Sequence, residues 1–260
     1  FPMSLVRFFC KQLLQAINHL RSLGIVHCDL KPENILLQGN DSPSIKLVDF
    51  GSACSVHEQR AAGANFYVQS RFYRAPEIIM GLPFDLAIDL WSFGTMTAEL
   101  FLGLPLFAGE SEYNQLVRIV AMLGPLDDEL LAEAPRTARF YRDARVGGSP
   151  PDASEPPPAP SRAEMSASAP PRFRIKKESE YAAEFGLEVT RNKQYFKYGK
   201  LDELIVRHPS TKQPSTPEAA KSDAERRRAL IHFICGFLRY QPSRRWSPRS
   251  ASYPPFITGD

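Results

Sequence analysis

Apolar residues recur at intervals of three and four from Leu5 to Leu23, with Val6, Phe9, Leu13, Ile17 and Leu20 on one stripe. That spacing predicts an amphipathic helix, and Gly24 offers it a left-handed stop. The period then shortens. Ile25-Val26 is a brief β-like run, and Ile35-Leu36-Leu37 and Ile45-Lys46-Leu47-Val48 are two more. The turn formers Gly39, Asn40, Asp41 and Pro43 divide the last two, which predicts a hairpin-like pair with Asn34 at one mouth and Asp49 at the other. From Gly51 to Tyr73 there is no helical period, so a long loop is expected. Asp85 is placed to cap a helix over Leu86–Leu102, apolar on most faces and so buried all round. Ser111 is placed to cap another, with Leu116, Ile119, Val120 and Leu123 inward and Gly124-Pro125 as its end. A last helix is expected from Ala224, with Leu230, Phe233, Ile234 and Phe237 on one face, ending before Pro242.

Elsewhere the pattern lapses. Ser149 to Pro171 is proline, alanine and serine with Met165 its only large apolar residue, too little burial to offset chain entropy, so disorder is expected. The chain therefore divides into residues 1–148, the 149–171 insert, a mixed aromatic-rich region over 172–208, a polar flexible stretch over 209–222, and terminal helices over 223–260. At 260 residues, 43% hydrophobic and 23% charged, it can bury a sizeable core. A net charge of +3, not gathered into a stripe, argues against direct nucleic-acid binding. The Arg226-Arg227-Arg228 cluster reads as a solvated helix start. The most apolar stretch, Leu86 to Phe107, contains Asp89, Glu99 and Pro105 and does not read as a membrane span. Cys10, Cys28, Cys54 and Cys235 show neither metal-ligand spacing nor a disulfide framework, which fits a reducing compartment. With no secretory pattern at the start, cytoplasmic or nuclear residence is expected. The first residue is Phe1 rather than methionine, and an incomplete chain is expected.

The chemistry concentrates in His27-Cys28-Asp29-Leu30-Lys31-Pro32-Glu33-Asn34, followed by Asp49-Phe50-Gly51. Phosphoryl transfer from ATP needs a carboxylate to orient the attacking hydroxyl, a cation to offset charge on the moving group, and oxygen ligands for magnesium. Asp29 and Asn34, five positions apart on a tight loop, can face one cleft with Lys31 between them. Asp49 can aim at the same metal. A few hard oxygen ligands suit Mg²⁺, which keeps waters and substrate phosphates in its shell.

These motifs resemble the C-terminal lobe of a eukaryotic protein kinase. No glycine-rich loop and no strand-borne Val-Ala-x-Lys accompany them. The expected fold class is therefore mainly α: a helical kinase-like C-terminal lobe with a short strand pair at the catalytic loop and the N-terminal lobe absent. Half a cleft positions ATP poorly, so the segment alone is expected to transfer negligibly. The resemblance implies Asp29 as catalytic base, Lys31 as the phosphate-contacting lysine, and Asn34 and Asp49 as the magnesium ligands that bind ATP. It implies that Glu77 pairs with Arg245, that Asp89 braces the catalytic loop, and that His27 and Phe50 pack internally.

Cys28 stands where most kinases have arginine. Asp49-Phe-Gly-Ser-Ala-Cys54 and Gln69-Ser-Arg-Phe-Tyr-Arg-Ala-Pro-Glu77 resemble the dual-specificity tyrosine-regulated kinases. Glu99 to Phe107, Tyr195 to Glu203, Arg245-Trp-Ser-Pro and Phe256-Ile-Thr-Gly resemble their Yak-type branch. That membership implies a serine/threonine kinase whose Tyr67 is phosphorylated by the kinase itself, with Arg71 and Arg74 as cations for the phosphate. Asn65 replaces the family's first loop tyrosine. Protein substrates carrying Ser/Thr followed by proline are implied, with no membrane partner. The alternative is a catalytically inactive lobe that binds protein partners as a scaffold.

Overall fold

The computed structural model describes residues 1–39, 43–56, 67–145, 172–188, 193–209 and 215–259. Helix α1, Met3–Ser22, buries Val6, Phe9, Leu13, Ile17 and Leu20, the stripe its spacing predicts, together with Cys10 and Leu14. Gly24, at φ 68°, turns the chain out of the helix. Strand β1, Ile25–Val26, leads into the loop that carries His27 to Asn34. Strands β2, Ile35–Leu37, and β3, Ile45–Leu47, pair antiparallel with Leu36 opposite Lys46. One further bond, from Val48 N–H to Asn34 O at 3.0 Å, sets Asn34 beside the approach to Asp49. Strand β4, Cys54–Ser55, pairs antiparallel with β1, Val26 opposite Cys54.

Helix α2, Pro76–Met80, is buried along its length. In α3, Ala87–Leu102, every residue but Glu99 and Leu100 is buried. The Asp85 carboxylate accepts the Ala87 N–H at 2.8 Å at its start. Helix α4, Glu112–Leu123, is capped by Ser111, whose hydroxyl accepts the Asn114 N–H. Residues 125–191 form a separate compact unit. It holds α5, Asp128–Glu133, α6, Thr137–Phe140, the antiparallel pair β5, Tyr141–Asp143, and β6, Phe173–Ile175, and α7, Glu178–Phe185. The rest of the chain belongs to the first unit with residues 1–124. It adds α8, Leu201–Arg207, α9, Pro217–Phe237, and α10, Pro255–Thr258.

The core of the first unit forms where α3 meets α9. Phe93 packs edge-on against Phe233 and Phe237, and Phe237 against Trp246. A Cβ on Gly94 would stand 2.8 Å from Phe237 Cβ, so only glycine lets the two helices approach this closely. Each large side chain buried here contributes about 1.5–3 kcal/mol. The helix α3 that is buried here carries Asp89.

Two expectations are corrected. The last helix starts at Pro217, not Ala224, with Thr216 Oγ1 accepting the Ala219 N–H at 3.2 Å. Its first turns are polar and solvent-facing, so no apolar period marks them. The expected mainly α body with one strand pair and an absent N-terminal lobe is also overturned. Four strands, β1 to β4, lie before residue 56 and form two sheets, and β5–β6 form a third. β1 and β4 have two residues each, too few for alternation to be read, and β4 falls in the stretch expected to be loop. The proline-rich insert over 149–171 lies outside the described residues, as does Asn65.

Candidate active site

The loop after β1 is held from beneath. Asp89, buried on α3, accepts the His27 N–H on Oδ2 at 2.7 Å and the Cys28 N–H on Oδ1 at 3.1 Å. Burial pushes its carboxyl up to about 7, with the two N–H bonds working against that. Removing the side chain would strand two buried donors, at about 1–3 kcal/mol each. His27 is fully buried, and burial lowers its pKa. Its Nδ1 accepts the Asp29 N–H at 3.3 Å, so Nε2 carries the proton toward Val48 O at 3.1 Å. The imidazole is therefore a neutral spacer under Asp29, with the Phe50 ring 4.9 Å away.

Asp29 faces an open cavity of about 600 Å³ that Lys31, Glu33, Tyr67, Ser70 and Arg71 also line. Its Oδ2 accepts from Lys31 Nζ at 2.6 Å, and its Oδ1 from Ser70 Oγ at 2.7 Å and Ser70 N–H at 3.2 Å. Lys31 Nζ also donates to Ser70 Oγ at 3.2 Å, closing a triangle of three side chains. Burial raises the Asp29 pKa, but the Lys31 and Ser70 bonds outweigh it and hold the carboxyl below its ordinary value. Asp29 is thus ionised at neutral pH. Buried Asn34 donates Nδ2 to Asp29 O at 2.8 Å, locking the loop's two ends together.

Asp49 is exposed at φ 64°, with Oδ1 accepting the Gly51 N–H at 3.3 Å. Cys28 and Gln69 also have positive φ, 65° and 66°. No other described non-glycine residues do, so all such backbone strain gathers at this site. Among the described residues no three His, Cys, Asp or Glu cluster as a metal site. That does not disfavour magnesium, which needs only one or two protein oxygens. Asn34 and Asp49, an amide and an accessible carboxylate brought together by the strand pair, have the donor chemistry that fits it.

Gln69 ties the loop to the helical core. Its N–H donates to Cys28 O at 2.9 Å, its Nε2 to Ser92 Oγ at 2.8 Å and Ile88 O at 3.0 Å, and its Oε1 accepts the Ala75 N–H at 2.9 Å. Tyr67 is 66% exposed, with the Arg74 guanidinium 3.9 Å from its ring centroid. Arg74 and then Arg71 hold its hydroxyl below the ordinary tyrosine pKa, with burial opposing. The two arginines differ. Arg74 is buried and committed to Val68 O, Gln69 O and Glu112. Arg71 donates Nη1 to Glu110 O at 2.9 Å, while its buried Nε has no partner. Glu77 and Arg245 form a fully buried two-pronged pair at 2.5 and 2.7 Å, and Arg245 also donates to Arg239 O and Ala87 O.

The family model described as "Protein kinase domain" matches residues 1–257. The chain belongs to the protein kinase family. Serine/threonine-protein kinase ppk15 of Schizosaccharomyces pombe is 41% identical over 99% of this chain and 43% of its own length. Dual specificity protein kinase YAK1 of Saccharomyces cerevisiae is 40% identical over 98% of this chain and 29% of its own. Dual specificity tyrosine-phosphorylation-regulated kinase 2 of Drosophila melanogaster is 48% identical over 56% of this chain. The branch is accordingly the Yak type of the dual-specificity tyrosine-regulated kinases. The chain spans less than half the length of the first two relatives. A kinase-domain match over residues 1–257 also overturns the expectation of an absent N-terminal lobe.

Two parts of this site escape sequence reasoning. Ser70 and Gln69 sit far along the chain from Asp29, in a stretch without periodicity. Only the Gln-Ser-Arg context marked them, as family signature rather than as partners of Cys28 and Asp29.

Proposed function

We propose that this chain carries the phosphoryl-transfer site of a protein serine/threonine kinase, which moves the γ-phosphate of ATP to Ser or Thr hydroxyls of proteins. The observation that carries this reading is the ionised Asp29 carboxylate, fixed between Lys31 and Ser70 on an open cavity. Asp29 orients the incoming hydroxyl and accepts its proton. Lys31, already 2.6 Å from Asp29, presents its charge to the transferring phosphoryl group. Asn34 and Asp49 would hold Mg²⁺, which when bound neutralises charge on the ATP phosphates. Substrates with Ser/Thr-Pro sites and cytoplasmic or nuclear residence belong to the same proposal. The test is transfer of label from γ-labelled ATP to a serine-containing protein. Magnesium-dependent transfer supports the reading, and none at saturating ATP and metal contradicts it.

Self-phosphorylation of Tyr67 belongs to this proposal, since a phosphate there adds nearly two negative charges beside two guanidinium groups. Arg71, bonded to Glu110 O where Arg74 is committed to Val68 O, Gln69 O and Glu112, is the better placed of the two to receive it. Tyr67→Phe is expected to lower kcat several-fold, on the order of 3–30-fold, because the ordering bonds are lost. Mass spectrometry should find phosphotyrosine in the parent protein. Unchanged activity in the variant would remove Tyr67 from the regulatory account.

A further inference from the structure

One arginine on α4 faces two ways. Arg118 donates Nη2 to Lys193 O at 2.7 Å, and its guanidinium lies 5.4 Å from the centroid of the Tyr195 ring. Lys200 Nζ adds a bond to Ala121 O at 3.1 Å, so residues 193–200 run along the helix. On its other side Arg118 donates Nε to Asn114 Oδ1 at 2.9 Å, one turn earlier on α4. Asn114 Oδ1 also accepts the Glu110 N–H at 3.1 Å, and Glu110 O accepts from Arg71 Nη1 at 2.9 Å. We propose that Arg118 is a positioning residue for phosphorylated Tyr67, orienting Arg71 through Asn114 and Glu110.

The links sit where the chain has few other supports. Glu110 is an exposed loop residue, whereas Asn114 is buried and its N–H is given to the Ser111 hydroxyl. The Asn114 amide oxygen thus serves two donors at once, Arg118 on one side and the Glu110 N–H on the other. The next residue, Gln115, is fully buried; its Oε1 accepts the Gly109 N–H at 3.0 Å and its Nε2 donates to Phe72 O at 3.3 Å. A Cβ on Gly109 would stand 2.6 Å from Gln115 N, so only glycine admits this packing. The first turn of α4 therefore holds both sides of Arg71, its guanidinium through Glu110 O and its neighbour through Phe72 O. Arg74 and then Arg71 lower the Tyr67 hydroxyl pKa, which sets the Arg71 guanidinium beside Tyr67.

Charge-assisted bonds to a phosphate depend on donors held in the right geometry. Arg74 is committed to Val68 O, Gln69 O and Glu112, so the placement of Arg71 decides how well a phosphate on Tyr67 is met. Without Arg118, the Asn114 oxygen keeps one donor of two, and the Glu110 carbonyl loses its fixed place. Residues 193–200 thereby gain a hold on the Tyr67 site through a single side chain. The inference rests on the reading of Tyr67 as the phosphorylated tyrosine. It does not rest on transfer by this chain, because the phosphate can be installed directly.

The experiment installs phosphotyrosine at position 67 of the full-length protein and follows its phosphorus resonance with pH. A guanidinium beside it favours the dianion and holds the second phosphate pKa below its free value of about 6. In Arg118→Ala that pKa should rise by about half a pH unit or more. Lys193→Met is the control. It removes an equal charge nearby but leaves the carbonyl that Arg118 uses, so its titration should match the parent's. An unchanged titration in Arg118→Ala would overturn the proposal. So would an equal rise in Lys193→Met, since charge alone would then account for it. In a second arm, Arg118→Ala should lower kcat by about 3–10-fold in the parent, the range that a bonded side-chain network carries. It should add no loss to Tyr67→Phe. Equal losses in both backgrounds would mark a merely structural role and overturn the proposal. A parent that transfers no phosphate would contradict the phosphoryl-transfer reading instead, and the phosphorus titration would then decide the role of Arg118 by itself.

Discussion

Asp49→Ala in the full-length protein is expected to all but abolish phosphoryl transfer, by about 10²–10³-fold in kcat, since an oriented charge-stabilising group at a reacting centre is worth that much. The fold should survive. Asp49 is exposed and its carboxylate bonds only its own Gly51 N–H, a turn contact of 3.3 Å. The complication is its backbone. At φ 64° alanine costs about 1–2 kcal/mol that aspartate or asparagine mostly avoids. Asp49→Asn is therefore the companion variant. It keeps the left-handed turn and an oxygen donor but loses the charge, so it should fold like the parent and still lose most activity. Steady-state kinetics with a thermal melt on each protein decides it. Near-normal kcat in the asparagine variant would show that no metal charge is met at Asp49.

Arg245→Ala is expected to be the most destabilising single change, by about 3–5 kcal/mol, because it leaves the Glu77 carboxylate buried without its cation. No water reaches the pair: the two side chains are 0% and 1% exposed. Arg245 also satisfies Arg239 O and Ala87 O, so both the start of α3 and the chain just after α9 lose an anchor. At roughly 2–4 °C per kcal/mol for a chain of this size, the melting temperature should drop by about 10 °C. Urea unfolding gives the free energy directly. Replacing both partners by methionine should recover much of the loss, because the stranded charge is then gone. A loss below about 1 kcal/mol in Arg245→Ala would mean that Glu77 finds another partner or takes up a proton.

Periodicity made the helices legible where one face is buried. The stripe from Val6 to Leu20 and the cap at Ser111 both reappear in the structure as α1 and α4. The β2–β3 pair was legible because turn formers separate two apolar runs. What stayed hidden depends on neighbours far along the chain. Two-residue strands carry no alternation, so the β1–β4 pairing could not be read. The polar first turns of α9 face water and leave no apolar mark. The site divides the same way. Asp29, Lys31 and Asn34 were legible as a set because one tight loop carries them. Ser70, which completes the triangle on Asp29, arrives from 41 residues away and was not.

The central claim is that Asp29, fixed by Lys31, Ser70 and Asn34, orients a protein hydroxyl for attack on ATP. The most direct measurement compares γ-phosphate transfer by the parent protein and Asp29→Asn, with phosphoamino-acid analysis of the product. The account predicts phosphoserine or phosphothreonine from the parent and a kcat lower by about 10²-fold or more in the variant, with the KM for ATP little changed. Equal kcat in the two proteins would contradict it.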